Sequence, residues 1–466
     1  MRQKMVIKKD YFIGSANFYR RVLWVAMPIV IQNTITNVVN LLDNVMVGRI
    51  GTIEMSAVAI VNQLIFIFNL CVFGGLAGAG IFSTQYAGAK DDDGLRYCFR
   101  IKIFAATAVF LVAGLILGFF PKQLIGLYLA KDTSAANAAS TYLYGLQYTK
   151  IMLIGLLPYS FSQVYSSTLR ETGETKLPMI ASTSAILINL VFNYFLIFGK
   201  FGFPRLGVAG AAIATVLSRF AELTILIICT HKRSSEFSFI KSVYRSFYIP
   251  RDLLRKVLKK GSPLLFNELL WSMGMASYLQ CYSARGLQVV AAANIASTVN
   301  NIFNVVLISL GSAISIMVGH HLGANEIERA KKTVWRLITL SVTLCIIIGA
   351  ILLLLSGVIP EIYKTESEVK AMASSFLVAL ALMLPFDAFA HGSYFTLRSG
   401  GKTMITFWFD SGFMWVIGVP VAFILANFTD MNVGLVYFLV RALDIIKTII
   451  GTILIRKGIW ISNIVK

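Results

Sequence analysis

One segment limits the fold more than any other: it is apolar enough for a membrane helix, carries a polar stripe, and occurs twice. From Pro28 to Gly51 the chain reads PIVIQNTITNVVNLLDNVMVGRIG. Asn33, Thr36, Asn37, Asn40 and Asp43 recur at three- and four-residue spacing and share one helical face. Hydrocarbon offers amides and a carboxylate no partners, so this face is expected to turn toward the protein interior or a watery cavity. The unit returns 235 residues later, where Pro263 answers Pro28, Gly286 answers Gly51, Ala292 answers Ala57 and Ile295 answers Ile60. In the same register Ile302, Phe303 and Asn304 repeat Ile67, Phe68 and Asn69, and Gly323 with Ala324 repeats Gly88 with Ala89. A duplicated unit around a polar seam is the plan of a transporter.

Runs of about 20 apolar residues recur along the whole chain, the length that spans a bilayer. With 57% hydrophobic and 14% charged residues and a mean hydropathy of +0.74, the chain is not a soluble globular protein. Its net charge of +20 does not indicate a nucleic-acid surface, because the basic residues are scattered through short connections. Cys71, Cys98, Cys229, Cys281 and Cys345 show neither ligand spacing nor a disulfide framework. The first apolar segment follows a basic start (Arg2, Lys4, Lys8, Lys9, Arg20 and Arg21). It is too long for a signal-peptide core and is expected to stay as a helix.

The hydropathy pattern predicts an all-α integral membrane protein with twelve spans, at 22–47, 53–83, 101–120, 142–168, 178–199, 208–230, 261–284, 289–318, 334–358, 372–397, 404–427 and 432–456. Span-end residues such as Lys102, Arg336 and Arg456 are counted with the loops they adjoin. With the amino terminus inside, 30 basic residues then fall on the cytoplasmic side and 8 outside, while Lys150, Arg219, Arg441 and Lys447 lie within spans. This places both termini in the cytoplasm. Six spans per half return the chain to its starting side, so the pseudo-twofold axis runs along the membrane normal. The expected organisation is a lobe at 1–230, a cytoplasmic basic linker at 231–260 and a second lobe at 261–466. Pro250 is placed to start a short amphipathic helix on the anionic inner leaflet, the alternative being a solvated linker.

Charges at mid-bilayer are costly and each requires a reason. Arg219 with Glu222, and Arg441 with Asp444 and Lys447, are spaced three residues apart and are expected to neutralise one another along their own helices. Asp387 lies about eleven residues, ~16 Å, from the cytoplasmic end of span ten. His391 and Tyr394 share its face, and an Asp–His set binds a small cation or passes a proton, unless it only fixes helix packing. Glu268 in span seven is followed on nearly the same face by Ser272, Met275 and Tyr282. Their hydroxyls and soft apolar surface suit a lipophilic cation, though packing alone would also use them. Asn189 and Asn193, one turn apart in span five, are placed to face the Asp43 stripe as cavity wall or as interhelical glue. Asp410 lies nearer the inner surface and is expected to cap or pair there.

Several motifs resemble the multidrug and toxic compound extrusion (MATE) family, within the broader group that includes lipid-linked oligosaccharide flippases. They are Pro28 followed by LDNVMVG at 42–48, STQYAGA at 83–89, its counterpart VGHHLGA at 318–324, LRSG at 397–400, and NLVFNYFLIFGKFG at 189–202. The resemblance covers nearly the whole chain. It implies a cation-coupled exporter of amphipathic, usually cationic, compounds, with no cofactor beyond a coupling Na+ or H+. It matches Asp43 to the family acid of the first helix and Asp387 to a carboxylate that helps bind the coupling cation, sodium included. Glu268 lies on the helix that carries a family glutamate, about one turn earlier, and Asn193 stands where one branch has an aspartate.

The expected cycle is alternating access in the plasma (inner) membrane, with Asp387, Glu268, Asp43 and His391 taking the coupling ion. Asn33, Thr36, Asn37, Asn40, Asn189, Asn193, Ser272, Met275, Tyr282 and Tyr394 would line the substrate cavity. A flippase for a lipid-linked oligosaccharide or peptidoglycan precursor is the alternative, and it would need a larger cationic groove. A membrane enzyme is disfavoured by the lack of a paired catalytic motif or a zinc pattern. Nothing in the sequence demands more than a monomer.

Overall fold

The computed structural model describes residues 11–128 and 135–466, without the side chains of Asn40, Leu41, Ala135 and Ala136. The basic residues before Tyr11 and the expected cavity side chain of Asn40 lie outside the described residues. Twelve long helices follow one another, as the hydropathy pattern predicts. They are α1 (Ala16–Gly48), α2 (Thr52–Ala89), α3 (Asp92–Phe119), α4 (Ala135–Glu171), α5 (Lys176–Phe198), α6 (Val208–Lys232), α7 (Arg251–Ser283), α8 (Leu287–Gly323), α9 (Ile327–Leu355), α10 (Ser367–Ser399), α11 (Thr403–Phe428) and α12 (Val433–Arg456). Among the described residues, nine are long and apolar enough to cross a membrane by length and composition alone. The other three, α4, α7 and α12, carry denser polar and charged side chains, such as Arg441, Asp444 and Lys447 on α12.

Prolines inside helices mark the duplication: Pro28 in α1 and Pro263 in α7, Pro158 in α4 and Pro385 in α10. Each removes one backbone hydrogen bond, which neighbouring helices make tolerable in a bundle. On α3, Phe104, Leu111, Val112, Leu115 and Ile116 are all exposed and fall on one face, as a lipid-facing surface requires.

The chain forms two compact units. One comprises Met27–Ser83 with Asp91–Leu258; the other comprises the residues up to Ala26, Thr84–Lys90 and Lys259–Lys466. In the first, α6 packs on α4 and α5, and α3 on α4, around Val58, Val61, Tyr148, Met152, Ile197 and Ala212. In the second, α10 packs on α8, α9 and α12, around Ala292, Ala296, Phe376, Leu377 and Tyr437. The tip of α2 belongs to this second unit. A Cβ on Gly88 would meet the His320 backbone, and one on Gly323 would meet the Gln85 backbone, so the two equivalent glycines are what allow α2 and α8 to touch. The Gln85 amide donates to the carbonyls of Ser399 (3.0 Å) and Ser462 (3.1 Å) and accepts from Ile464 N (2.8 Å), which ties the carboxy-terminal tail to this crossing.

Two features of the segment joining the halves differ from expectation. Residues from Arg251 onward do not form a separate surface helix but are the first turns of α7, which runs on without a break through Gly261 and Pro263. The stretch before Pro250 is not simply solvated, because Phe237, Phe239, Ile240 and Val243 are buried.

Lys102, fully buried on α3, was not singled out by sequence. It is held by Ser167 Oγ and Thr168 Oγ1, each at 3.1 Å, and by the Glu171 carboxylate of α4. Breaking one side of a buried pair leaves an uncompensated charge. Lys102→Met is therefore expected to destabilise the protein by about 3 kcal/mol, measured by unfolding in mixed detergent, and Lys102→Met with Glu171→Gln should recover much of that loss.

Candidate functional site

In the first unit the polar stripe of α1 meets α5 and α6. Asp43 Oδ1 accepts a hydrogen bond from Asn193 Nδ2 at 2.6 Å. With its nitrogen turned toward Asp43, the Asn189 amide donates to Oδ1 at 3.1 Å and Oδ2 at 3.2 Å, and its oxygen accepts from Thr215 Oγ1 at 3.2 Å. The opposite orientation would set an amide oxygen against the carboxylate. Asn189 and Asn193 stand one turn apart on α5 and are buried, so both amides point the same way. Asn193 Oδ1 is also buried and, among the described residues, accepts no hydrogen bond. Among the described residues Asp43 forms no ion pair. Arg219 acts on it only through its longer-range field, with its guanidinium 4.2 Å from the centre of the Tyr159 ring. Of the remaining stripe, Asn33 and Thr36 are half-buried and Asn37 is exposed, and the Thr36 hydroxyl donates to its own helix at Gln32 O (2.8 Å).

The second unit holds a denser network. Arg441 on α12 reaches Asp387 on α10 at 3.7 Å. Lys447, two turns further along α12, lies 3.8 Å from Asp444 and 3.5 Å from Asp410 on α11. Asn267 on α7 donates to Asp410 Oδ2 at 3.1 Å and to Tyr394 Oη at 3.4 Å. Tyr394 Oη in turn donates to Glu268 Oε1 at 3.4 Å, and Arg398 lies 4.0 Å from Glu268. Around Asp410 the helix widens to π-helical turns at Trp408–Gly412 and Met414–Gly418, and Ser411 bonds back to Asn267. Such widening is frequent at functional positions. Four carboxylates (Glu268, Asp387, Asp410 and Asp444) face three fixed cations (Arg398, Arg441 and Lys447), so the network is one positive charge short when fully ionised.

Several expectations change here. Asp387, without a basic neighbour on its own helix other than His391, receives one from across the bundle in Arg441. His391 turns its Nδ1 to the backbone oxygen of Asp387 at 3.0 Å, not to the carboxylate, because that carbonyl lies one turn below on the same helix. Asp410 pairs rather than caps, and it does so within the network, with Lys447 at 3.5 Å. Tyr282 is a core residue, its ring 5.5 Å from Tyr437, which stacks on Phe376. Ser272 is half-buried and Met275 is 37% exposed. Arg219 and Glu222 lie on neighbouring turns of α6 without an ion pair within 4 Å among the described residues. Sequence reasoning missed Thr215, Asn267 and the cross-helix partners. For Thr215 a signal existed, since Thr215, Arg219 and Glu222 form one polar stripe on α6.

A model of the MatE family matches residues 28–195 and 263–424, once in each half. The chain is 27% identical over 413 residues to the probable multidrug resistance protein YoeA of Bacillus subtilis, covering 87% of each chain. It is 24% identical over 418 residues to the probable multidrug resistance protein NorM of Thermotoga maritima, covering 89% of this chain and 87% of the other. Among solved structures it resembles the Vibrio cholerae MATE transporter VcmN, with a TM-score of 0.85 at 16% identity over 97% and 98% of the two chains. It also resembles an outward-facing multidrug resistance MATE transporter of the MOP superfamily, with a TM-score of 0.82 at 19% identity over 95% and 96%.

Proposed function

The chain belongs to the MATE family of transporters, and from that premise we propose that it is a cation-coupled antiporter exporting amphipathic, cationic drug-like compounds by alternating access. The observation that carries this reading is the Asp43 site. Its carboxylate is held by two amides that orient it without neutralising it, and among the described residues the buried oxygen of Asn193 beside it meets no donor. An orphaned acceptor next to an unpaired acid is what a small cation or a proton would satisfy. A sodium ion would find the oxygens of Asp43 and Asn193, with that of Asn189 brought in by one rotation of its amide, whereas a proton would sit on Asp43 and donate to Asn189 once the same rotation turns its oxygen to the acid. The half-buried Asn33 and Thr36 lie on the same stripe, where an organic cation would compete for the same negative charge. Coupling requires that ion and drug favour different states of the transporter. The basic excess on one side supports an inner-membrane protein with both termini in the cytoplasm.

A second coupling group is supported by the missing positive charge in the second unit. A proton or sodium ion shared among Asp387, Asp444, Asp410 and Glu268 would balance it, with His391 alongside.

The decisive experiment is export of a cationic dye from vesicles under an inward sodium gradient alone and under an inward proton gradient alone. One of the two is expected to drive uphill efflux. Absence of efflux under both, from correctly inserted protein, would overturn the coupling reading.

A further inference from the structure

We propose that the segment joining the two halves is a lipid anchor that binds anionic phospholipid headgroups, of the phosphatidylglycerol type, at the rim of the bilayer. Its inner side is fixed. Phe237, Phe239, Ile240 and Val243 are buried, and Arg100 of α3 donates to the backbone oxygens of Val243 (2.9 Å), Tyr248 (2.9 Å) and Ser242 (3.4 Å). His231 and Tyr244 stack with ring centres 6.1 Å apart. With the backbone held this way, the exposed side chains between Lys241 and Arg255 are mainly aromatic and basic, with Ser242, Ser246 and the single acid Asp252 among them. Tyr244, Phe247 and Tyr248 are exposed by 48, 58 and 65%. Lys241, Arg245, Arg251 and Arg255 are exposed around them, and among the described residues none of the four joins an ion pair.

The position of Phe247 decides which partner fits. Its ring meets Phe104 of α3 edge-on at 6.0 Å. Phe104 is itself exposed, two residues past Lys102, and continues into the exposed face of Leu111, Val112 and Leu115. The linker ring thus extends the surface that α3 offers to acyl chains, and Tyr248 lies against Tyr97 at 6.2 Å further toward the start of α3. Aromatic rings at the hydrocarbon boundary flanked by long basic side chains match the bilayer interface, where rings sit at headgroup level and Lys and Arg reach anionic phosphates. An acidic soluble protein would satisfy the charges but would not place a ring against the lipid-facing side of a span. The inference needs only that α3 crosses the membrane and stands apart from the coupling reading.

The test uses the full-length protein carrying Phe247→Trp in phosphatidylcholine vesicles. Tryptophan quenching is measured with brominated phosphatidylcholine or brominated phosphatidylglycerol, and the parent protein serves as the background. The expected result is quenching by both lipids, several-fold stronger by phosphatidylglycerol and weakened by high salt. Replacing Lys241, Arg245, Arg251 and Arg255 by Gln should remove the preference while quenching by phosphatidylcholine persists, which also shows that the segment is still folded on α3. Equal quenching by the two lipids in the protein with its basic residues intact would overturn the proposal. Absence of quenching by either would overturn it too, since it would place the ring in water or against a soluble partner.

Discussion

Asp43→Asn is expected to abolish gradient-driven efflux while leaving the protein folded and inserted. The substitution keeps the size of the side chain and removes only its charge. Asn193 Nδ2 still finds an amide oxygen at position 43, and Asn189, whose two orientations differ by one rotation, can turn its own oxygen to the new amide nitrogen. Thr215 can donate to or accept from either end of Asn189. The scaffold is thus preserved and the cation loses its counter-charge. A unit charge pair at about 4 Å contributes about 4 kcal/mol at an effective dielectric of 20. Asp43 is only half-buried, and discounting for solvent leaves about 2 kcal/mol, or roughly 30-fold in cation affinity. Dye efflux under the productive gradient, normalised to the amount of inserted protein, should fall at least about tenfold. Normal efflux by Asp43→Asn would remove Asp43 from the mechanism and leave the second unit as the remaining candidate.

The comparison of Asp43 with Asp387 also shows what a one-dimensional reading can carry. Twelve helices and their polar faces follow from period and length, because a bilayer fixes both. The link between Asp43 and the α5 asparagines was legible for the same reason: three polar residues on two apolar helices have few ways to be satisfied except by one another. Pairings across helices were not. Arg441, Asp444 and Lys447 are spaced to neutralise one another on α12, and only Lys447 with Asp444 does so; Arg441 turns to Asp387 and Lys447 also reaches Asp410. Which rotamer wins depends on the azimuth of each helix, and no sequence spacing encodes that. Tyr282 illustrates the complementary failure. A tyrosine on the same face as Glu268 is cavity wall or core depending on what packs there, and here Tyr437 and Phe376 pack there. The joining segment escaped for a simpler reason, since Arg100 holds it through backbone carbonyls that every residue possesses.

Arg441→Leu should cost about 3–5 kcal/mol of stability, the range for removing one partner of a buried ion pair. Asp387 is 7% exposed and its neighbour Asp444 is also acidic, so losing the guanidinium leaves two carboxylates close together with only Lys447 to balance them. Arg441 also lies over the Tyr437 ring at 5.7 Å, so part of the loss reflects packing. Adding Asp387→Asn removes the stranded charge, and Arg441→Leu with Asp387→Asn is expected to regain most of the stability in mixed-detergent unfolding. The same pair of variants separates two roles for Asp387. If the acid serves only to hold α10 against α12, the doubly substituted protein recovers efflux along with stability. If Asp387 exchanges the coupling ion, the fold returns and uphill transport does not. The geometry favours the second outcome for proton-driven transport: a network one positive charge short has a place for a proton, and loss of both Asp387 and Arg441 leaves the imbalance in number but removes the network's most buried acid.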